Sequence, residues 1–268
     1  KINLIMKLDI FDFVNIGVKH LYHITTKENL DSILKNGLLS KLQLSKLDIS
    51  PRNISNPSVQ SRREDKNVRI YLSHVPLYFN KITPMLYVQK PIHSSVVIIA
   101  FDIIKLATYQ KNHWEKSYFV VKNLAISDIK PLADSRKLYE HPMIIFSEIG
   151  WQTDEGQDLY KSQAQCEFLF YNLIQIQTIS KLIVNNPLLK MEIEQIIKNN
   201  SINFDIPIEI GIFDLPGNRL PKQKLEEKYN NEINRLSQAH KQRQKKDEKD
   251  ADKKAKIVSG NIKNIRNN

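Results

Sequence analysis

The sequence is poor in cysteine and has no long apolar run. Its 268 residues include one cysteine, Cys166, so no disulfide can form within the chain, as is typical of proteins from a reducing cytoplasm. No stretch of about 18 consecutive apolar residues occurs, so the sequence predicts no membrane-spanning helix. The first seven residues become charged too early for a secretory signal. We therefore expect a cytoplasmic protein.

Motifs that mark several common enzyme classes are also missing. Only seven glycines occur, and none of them completes a P-loop, a GxGxxG turn or a GxSxG elbow. CxxC and HExxH are absent, so neither a structural zinc site nor a zinc protease is indicated. We predict no metal site, and any chemistry has to come from polar residues scattered over strand ends and loops.

Acidic residues are too few to balance the basic ones, and the excess is unevenly spread. Of the net charge of +11, residues 221–268 contribute +7, from fourteen Lys and Arg against seven Asp and Glu. This part of the chain has little apolar surface to bury, so its ordering entropy is hard to offset. We therefore divide the chain into a domain, residues 1–220, and a basic charged tail, residues 221–268. The tail is either a solvated, fraying helix or a disordered segment, or else it is a non-specific nucleic-acid arm.

The stretch "LYHITTKENLDSILKNGLL", residues 21–39, predicts a strand, a turn and a helix. Residues 18–24 alternate as a strand does, and Thr25 to Glu28 has the spacing of a capping box. Apolar residues then follow at helical spacing, and Gly37 stands where a helix ends.

The rest of the chain contains more predicted strands than helices. Residues 40–69 read as a long loop with one short helix, of the kind that often binds ligands. The strongest strand pattern is the β-branched run at 95–104. Further strand-like segments and one helix complete an α/β or α+β pattern: strands at 70–79, 83–89, 117–126, 164–174, 179–186 and 207–214, and a helix at 187–200.

Three places carry polar residues suited to glycosyl transfer. His23 follows a strand and can bond a ribose or hold a nicotinamide, but a histidine there is also common in a core. Arg62 and Arg63 can neutralise phosphates, but they also suit an exposed basic pair. Glu167 interrupts an apolar strand and can stabilise an oxocarbenium-like ribose, unless that strand lies at a sheet edge with Glu167 on a solvated face.

Four stretches in order along the chain resemble the DarT family, the DNA ADP-ribosyltransferase toxins of bacterial toxin-antitoxin pairs. The resemblance spans residues 18–200 and excludes the tail. The family's Tyr-His-x-Thr opening, its arginine-bearing loop, its Val-Pro and Pro-Met-Leu block and its late glutamate strand are similar to these stretches: "LYHITTKENLDSILKNGLL", "SVQSRREDKNV", "HVPLYFNKITPMLY" and "QAQCEFLFYNLIQIQTISKLIVNN".

The resemblance implies an α+β fold with split antiparallel sheets, flanking helices and NAD in the cleft between the sheets. It implies that Glu167 is the catalytic glutamate and that Arg63, preferred over Arg62, activates or orients the target base. It also implies a set of NAD-contacting residues: His23, Ile24 and Thr25 at the nicotinamide riboside end, Ser32 and Ser40 on and after the helix, Arg63, and Tyr78, Phe79 and Met85 at the nicotinamide wall.

The implied function is an NAD-consuming toxin that transfers ADP-ribose onto a base of single-stranded DNA and is paired with a macrodomain antitoxin. Two loops that touch DNA in the family differ here, since the loop before the Val-Pro block lacks glycine and "VVKNLAI" replaces a Thr-Asp-x-x-Ala sequence. The target base therefore stays open between thymine and guanine. Transfer to RNA or protein, or an inactive nucleic-acid-binding module, are the alternatives.

Overall fold

The computed structural model describes residues 8–52, 61–62, 69–81, 83, 86, 90–121, 130–140, 165–211 and 222–266. Two groups of elements are found there. The strands are β1 (His20–Thr26), β2 (Leu38–Leu39), β3 (His74–Tyr78), β4 (Val96–Asp102), β5 (Tyr118–Val120), β6 (Glu167–Tyr171), β7 (Leu173–Ile174), β8 (Ile179–Val184) and β9 (Ile208–Ile210). The α-helices are α1 (Ile10–Asn15), α2 (Lys27–Asn36), α3 (Lys41–Lys46), α4 (Ile103–Tyr109), α5 (Lys111–Trp114), α6 (Pro187–Asn199) and α7 (Lys222–Arg266).

Seven strands form one sheet in the order β5-β6-β3-β1-β4-β8-β9, and β2 pairs separately with β7. All pairs are antiparallel except β8 with β9. The central junction is weak, because the ladder between β1 and β3 consists of the pair Tyr22–Tyr78, whereas β1 pairs with β4 along its whole length. The predicted α+β fold with split antiparallel sheets and flanking helices is confirmed, and the split lies between β1 and β3.

The main core lies on one face of the sheet and is rich in aromatic rings. Trp114 stacks on Phe168 with ring centroids 4.9 Å apart, and Phe13 of α1 meets the Trp114 ring edge-on at 5.2 Å. The buried indole N–H donates to the Leu8 carbonyl at 2.9 Å, so its polar atom is satisfied. These contacts attach α1 and α5 to β6 and hold the half of the sheet that carries Glu167.

The predicted strand, turn and helix of residues 21–39 form β1 and α2, but the capping box is wrong. The N-cap of α2 is Thr26 rather than Thr25, and it makes no side-chain cap bond. Thr25 instead belongs to the strand, where its hydroxyl accepts a bond from the Asn29 amide at 3.1 Å. Gly37 ends α2 with a φ of 81°, which confirms the predicted stop.

Two of the later segments differ from their predictions. Residues 70–79 were expected to be a strand throughout, yet residues 70–73 are helical and β3 begins at His74. Short apolar runs suit a helix and a strand equally, so their pattern could not separate the two. The run at 95–104 gives β4 up to Asp102, where the Asp102 carboxylate caps α4 by accepting from the Lys105 N–H.

The tail is one long helix, and part of it is attached to the domain. Leu236 and Ala239 of α7 are buried, the Asn15 amide donates to the Ala239 carbonyl, and Arg243 pairs with Asp9 at 2.7 Å. The expectation that the tail is too polar to bury surface is therefore wrong for this stretch. Two apolar residues, Leu236 and Ala239, make the contact together with charged side chains, and so short an apolar pattern does not stand out in a highly charged helix.

Within the described ranges, no helix has both the length and the apolar content needed to cross a membrane.

Candidate active site at the split of the sheet

His23 lies where β1 and β3 separate. Its Nδ1 donates to the carbonyl of Pro76 on β3 at 3.2 Å, so a side-chain bond links the two strands next to the backbone pair Tyr22–Tyr78. Burial lowers the pKa of His23 to about 4, although the Pro76 carbonyl acts in the opposite direction. The ring is therefore neutral near pH 7, carries its proton on Nδ1 and has an acceptor lone pair on Nε2.

The two residues after His23 are held rigidly by their surroundings. Ile24 is buried in a small apolar cluster with Tyr78 and Leu86. Thr25 is buried and bonded to Asn29. Asn29 also bonds both the N–H and the carbonyl of Arg52, so the first part of the predicted long loop is fixed to the start of α2. The backbone from His23 to Thr25 is therefore a well-braced edge of the split.

Glu167 opens β6 and is fully buried. The alternative of a solvated edge strand is wrong, because β6 lies between β5 and β3 and Glu167 pairs with Val120 and Tyr78. A carboxylate is expensive to bury, and burial of this kind is concentrated at functional sites.

Glu167, Tyr78 and Tyr22 form one row across the split. Tyr78 pairs with Glu167 on one side and with Tyr22 on the other. Directly opposed residues of antiparallel strands point to the same face, so the three side chains share one face. Two strand spacings place the Cα atoms of Glu167 and Tyr22 about 10 Å apart. His23 is the next residue of β1, so its side chain starts from the opposite face of the strand and reaches the split at the carbonyl of Pro76 instead.

Tyr22 is a candidate that the sequence analysis missed. It is half-buried and stands opposite Tyr78 at the pair that joins the two halves of the sheet. Strand alternation places the Tyr22 side chain on the same face as Ile24 and on the opposite face from His23. The sequence therefore contained the face on which Tyr22 lies. Its importance follows only from the pairing with β3, which no local pattern reveals.

The two predicted serines have different settings. Ser32 is half-buried on α2, and its carbonyl and hydroxyl both lie near the Asn36 amide, at 3.1 and 3.5 Å. Ser40 is buried and its hydroxyl caps α3 by accepting from the Gln43 N–H at 3.4 Å. Ser40 therefore positions the segment after β2, and a direct contact with NAD stays a prediction for both residues.

Of the remaining predicted site residues, the structure describes some and not others. Arg63 and Met85 lie outside the described residues. Arg62 is described and exposed, so the preference for Arg63 over Arg62 stays a prediction. Phe79 packs in the main core, stacked with Phe13 at 6.3 Å, so Tyr78 is the member of this pair that belongs to the row. Among the described residues, no group of three or more His, Cys, Asp or Glu side chains could hold a metal ion.

The comparisons with known proteins concern the family and the fold. A family model described as ssDNA thymidine ADP-ribosyltransferase, DarT, matches residues 22–214, which is more than half of the chain. The matched range begins at Tyr22, includes Glu167 and ends before α7. No curated protein sequence gives a significant match.

Solved structures show the same fold at low sequence identity. Thermus sp. 2.9 DarT in complex with ADP-ribosylated ssDNA is 19% identical with a TM-score of 0.57, over 72% of this chain and 94% of that one. The same protein in complex with NAD+ is 19% identical with a TM-score of 0.56, over 73% and 96%. Thermosipho africanus DarTG in complex with ADP-ribose is 22% identical with a TM-score of 0.59, over 75% of this chain and 52% of that one.

Proposed function

Because the chain belongs to the DarT family of ssDNA thymidine ADP-ribosyltransferases, we propose that it transfers ADP-ribose from NAD to a thymine base of single-stranded DNA and releases nicotinamide. The observation that carries the proposal is the buried carboxylate of Glu167, placed in one row with Tyr78 and Tyr22 at the split. A fixed negative charge is what a developing ribosyl cation needs for stabilisation.

The reaction breaks the bond between the ribose C1′ and the nicotinamide nitrogen, and nicotinamide leaves with the electron pair. The Glu167 carboxylate stabilises the positive charge that develops on the ribose. A ring N–H of thymine then forms the new bond to C1′, and its proton passes to Glu167. All atoms and charges balance without a metal or an oxidant.

The other predicted residues are proposed to bind and orient the two substrates. The Nε2 lone pair of neutral His23 accepts a bond from a ribose hydroxyl, and the backbone through Ile24 to Thr25 holds the nicotinamide riboside end. Ser32 and Ser40 contact the remainder of NAD. Tyr78 and Met85 form the nicotinamide wall, and Arg63 orients the base or neutralises phosphate.

The proposal is tested by mass spectrometry of oligonucleotides after incubation with NAD. Single-stranded oligonucleotides that carry either thymine or guanine as the one variable base identify the acceptor. Glu167→Gln keeps the size of the side chain but removes its charge, so we expect transfer to slow about 10²-fold to 10³-fold. The matched control is Glu140→Gln, since Glu140 is exposed, and it should react like the wild type.

Each result bears on a separate part of the proposal. If Glu167→Gln modifies DNA as fast as the wild type, the site is misassigned. If guanine oligonucleotides gain the mass and thymine oligonucleotides do not, the base is wrong. If labelled NAD marks RNA or protein but never DNA, the acceptor is wrong and the alternative from the sequence applies.

We also propose that the protein acts as the toxin of a toxin-antitoxin pair whose antitoxin is a macrodomain protein. Support comes from the family and from the fold shared with Thermosipho africanus DarTG in complex with ADP-ribose. Expression of the wild type in bacteria should stop growth, whereas Glu167→Gln should not. Co-expression of a macrodomain hydrolase that removes ADP-ribose from DNA should restore growth, and unchanged arrest would contradict the pairing.

A further inference from the structure

Four lysines form a stripe along α7. Lys241, Lys245, Lys249 and Lys253 follow one another at intervals of four residues, and all four are exposed. Residues four apart lie on the same side of a helix, about 6 Å apart along its axis. The lysine stripe therefore extends over about 18 Å of helix surface.

The stripe faces away from the domain. The residues of α7 that dock on the domain include Ala239, which is buried, and Arg243, which pairs with Asp9. Lys241 lies two positions after Ala239, and Lys245 lies two positions after Arg243. Two residues turn a helix by about 200°. Docking therefore holds Lys241 and Lys245 on the opposite side of an anchored helix. Each interval of four residues turns the stripe by a further angle of about 40°, so Lys249 and Lys253 continue it along the exposed flank.

The charges of the stripe are available to a partner. In the part of α7 whose side chains are described, the ion pairs join Arg235 to Glu232 and Arg243 to Asp9, Asp12 and Asp247. None of these pairs includes a lysine of the stripe. Asp247 turns toward Arg243 on the docking side. The exposed Glu248 and Asp252 follow Lys245 and Lys249 by three positions and lie beside the stripe, so its four lysines exceed the acidic residues on that side by two.

We propose that the lysine stripe binds the phosphate backbone of single-stranded DNA, outside the nucleotides that enter the cleft. That the partner is single-stranded DNA rests on the proposed function. That the partner is negatively charged follows from the lysines of the stripe. Evenly spaced ammonium groups on a rigid helix neutralise successive phosphates without reading sequence. A strand held in both places gains affinity, because the second contact becomes intramolecular. The stripe lies outside the range that matches the family model.

The test measures binding of fluorescent single-stranded oligonucleotides of about 6 and about 30 nucleotides across a salt series. The triple variant Lys245→Gln, Lys249→Gln and Lys253→Gln keeps helix propensity. We expect it to bind the long strand about tenfold more weakly at about 0.1 M salt, with a slope of log K against log[salt] shallower by about 2. Binding of the short strand should not change.

The matched control removes the same charge elsewhere. Lys111→Gln, Lys130→Gln and Lys198→Gln together change three exposed lysines, and they should leave both affinity and slope near the wild type. Equal losses in the two triple variants, or no loss in the stripe variant, would overturn the proposal. Circular dichroism of both variants verifies that α7 keeps its helix content.

The proposed function is judged separately. Modification of the short oligonucleotide with NAD, read by mass spectrometry, needs no stripe and should persist in the stripe variant. A short strand that is modified, together with unchanged long-strand binding, leaves the function standing and overturns the stripe. If the stripe variant binds long DNA weakly but no strand is ever modified, even by the wild type, the stripe stands and the proposed function is overturned.

Discussion

His23 is neutral in the folded protein at a pH where it would be half protonated in an unfolded chain. Its folded pKa of about 4 lies below the ordinary histidine pKa of 6.5, so between these values the unfolded state binds more protons. Stability from this group is therefore complete above about pH 6.5 and is lost as the pH falls toward 4. Over this whole range the linkage amounts to about 3 kcal/mol.

His23→Asn tests this linkage, because asparagine can still donate to the Pro76 carbonyl but does not titrate. Free energies of unfolding measured by urea titration at pH 7.5 and 5 should show a smaller acid-induced loss in the variant than in the wild type. Burial also lowers the pKa values of His20 and His74, and these contributions cancel in the comparison. An identical pH dependence in both proteins would mean that His23 is solvated.

Gly37 and Gly17 offer a matched pair at the residue scale. Both have positive φ, 81° and 90°, but a Cβ at Gly37 would lie 2.7 Å from the Ile174 carbonyl oxygen, whereas one at Gly17 would have nothing within 4 Å. We expect Gly17→Ala to lower the free energy of unfolding by about 1 kcal/mol through the left-handed backbone alone. Gly37→Ala should cost about 3 kcal/mol, since it also pushes β2 from β7. Equal urea midpoints would contradict the close approach.

Individual site residues could be named from the sequence only where local chemistry is unusual. A glutamate inside Cys-Glu-Phe-Leu-Phe is unusual because a charged side chain interrupts an apolar strand. The resemblance to the DarT family then implied that it is the catalytic glutamate. Tyr22 has no such anomaly, because a tyrosine in a strand is ordinary. Its place in the row depends on pairing with Tyr78, more than fifty residues away in the chain.

Elements were predictable where one periodicity dominated. β4 and α6 follow a β-branched run and an amphipathic run, and both appear at the expected places. The boundary at 73 and 74 was not predictable, because the helical turn and β3 share one apolar run. The docking of α7 was not predictable either, since a contact built from Arg243, Lys246 and two isolated apolar residues has the composition of a solvated helix.

The anchor between α7 and α1 is an element-scale interaction centred on Arg243. This side chain is 13% exposed and faces the fully buried carboxylate of Asp12 at 3.4 Å as well as Asp9. Burial raises the pKa of Asp12, although bonds from Ser135 and Tyr139 and the charge of Arg243 oppose the rise. Removal of the guanidinium would leave this carboxylate with less compensation.

Arg243→Met should therefore lower the free energy of unfolding by about 2–3 kcal/mol. Asp12→Asn combined with Arg243→Met should cost less than the sum of the single changes, with a coupling of about 1–2 kcal/mol in a double-mutant cycle. Lys190→Met, at a more exposed pair 3.8 Å long, is the control and should change stability by less than about 0.5 kcal/mol. Additive single effects would show that Arg243 does not stabilise Asp12.

At the scale of the whole molecule, the contacts of α7 change how the chain divides. The sequence separated a domain, residues 1–220, from a tail, residues 221–268, by composition alone. In the structure, Leu236 and Ala239 are buried with the main core, the Tyr139 ring stacks on His240 with centroids 5.1 Å apart, and Lys246 lies 3.7 Å from the Phe11 ring centre. These contacts predict that the domain depends on the middle of α7 for stability.

Two truncations separate the docked part of α7 from the part beyond it. A protein ending at residue 252 keeps every docking contact named above, so its melting temperature should stay within about 2 °C of the full chain. A protein ending at residue 220 loses about 3 kcal/mol of packing and ion-pair stabilisation, and its melting temperature should fall by roughly 6–12 °C. Equal melting temperatures of the full chain and both truncated proteins would mean that residues 1–220 are stable without α7, as the composition suggested. A drop already at residue 252 would place stabilising contacts in the last turns of α7, where the lysine stripe ends.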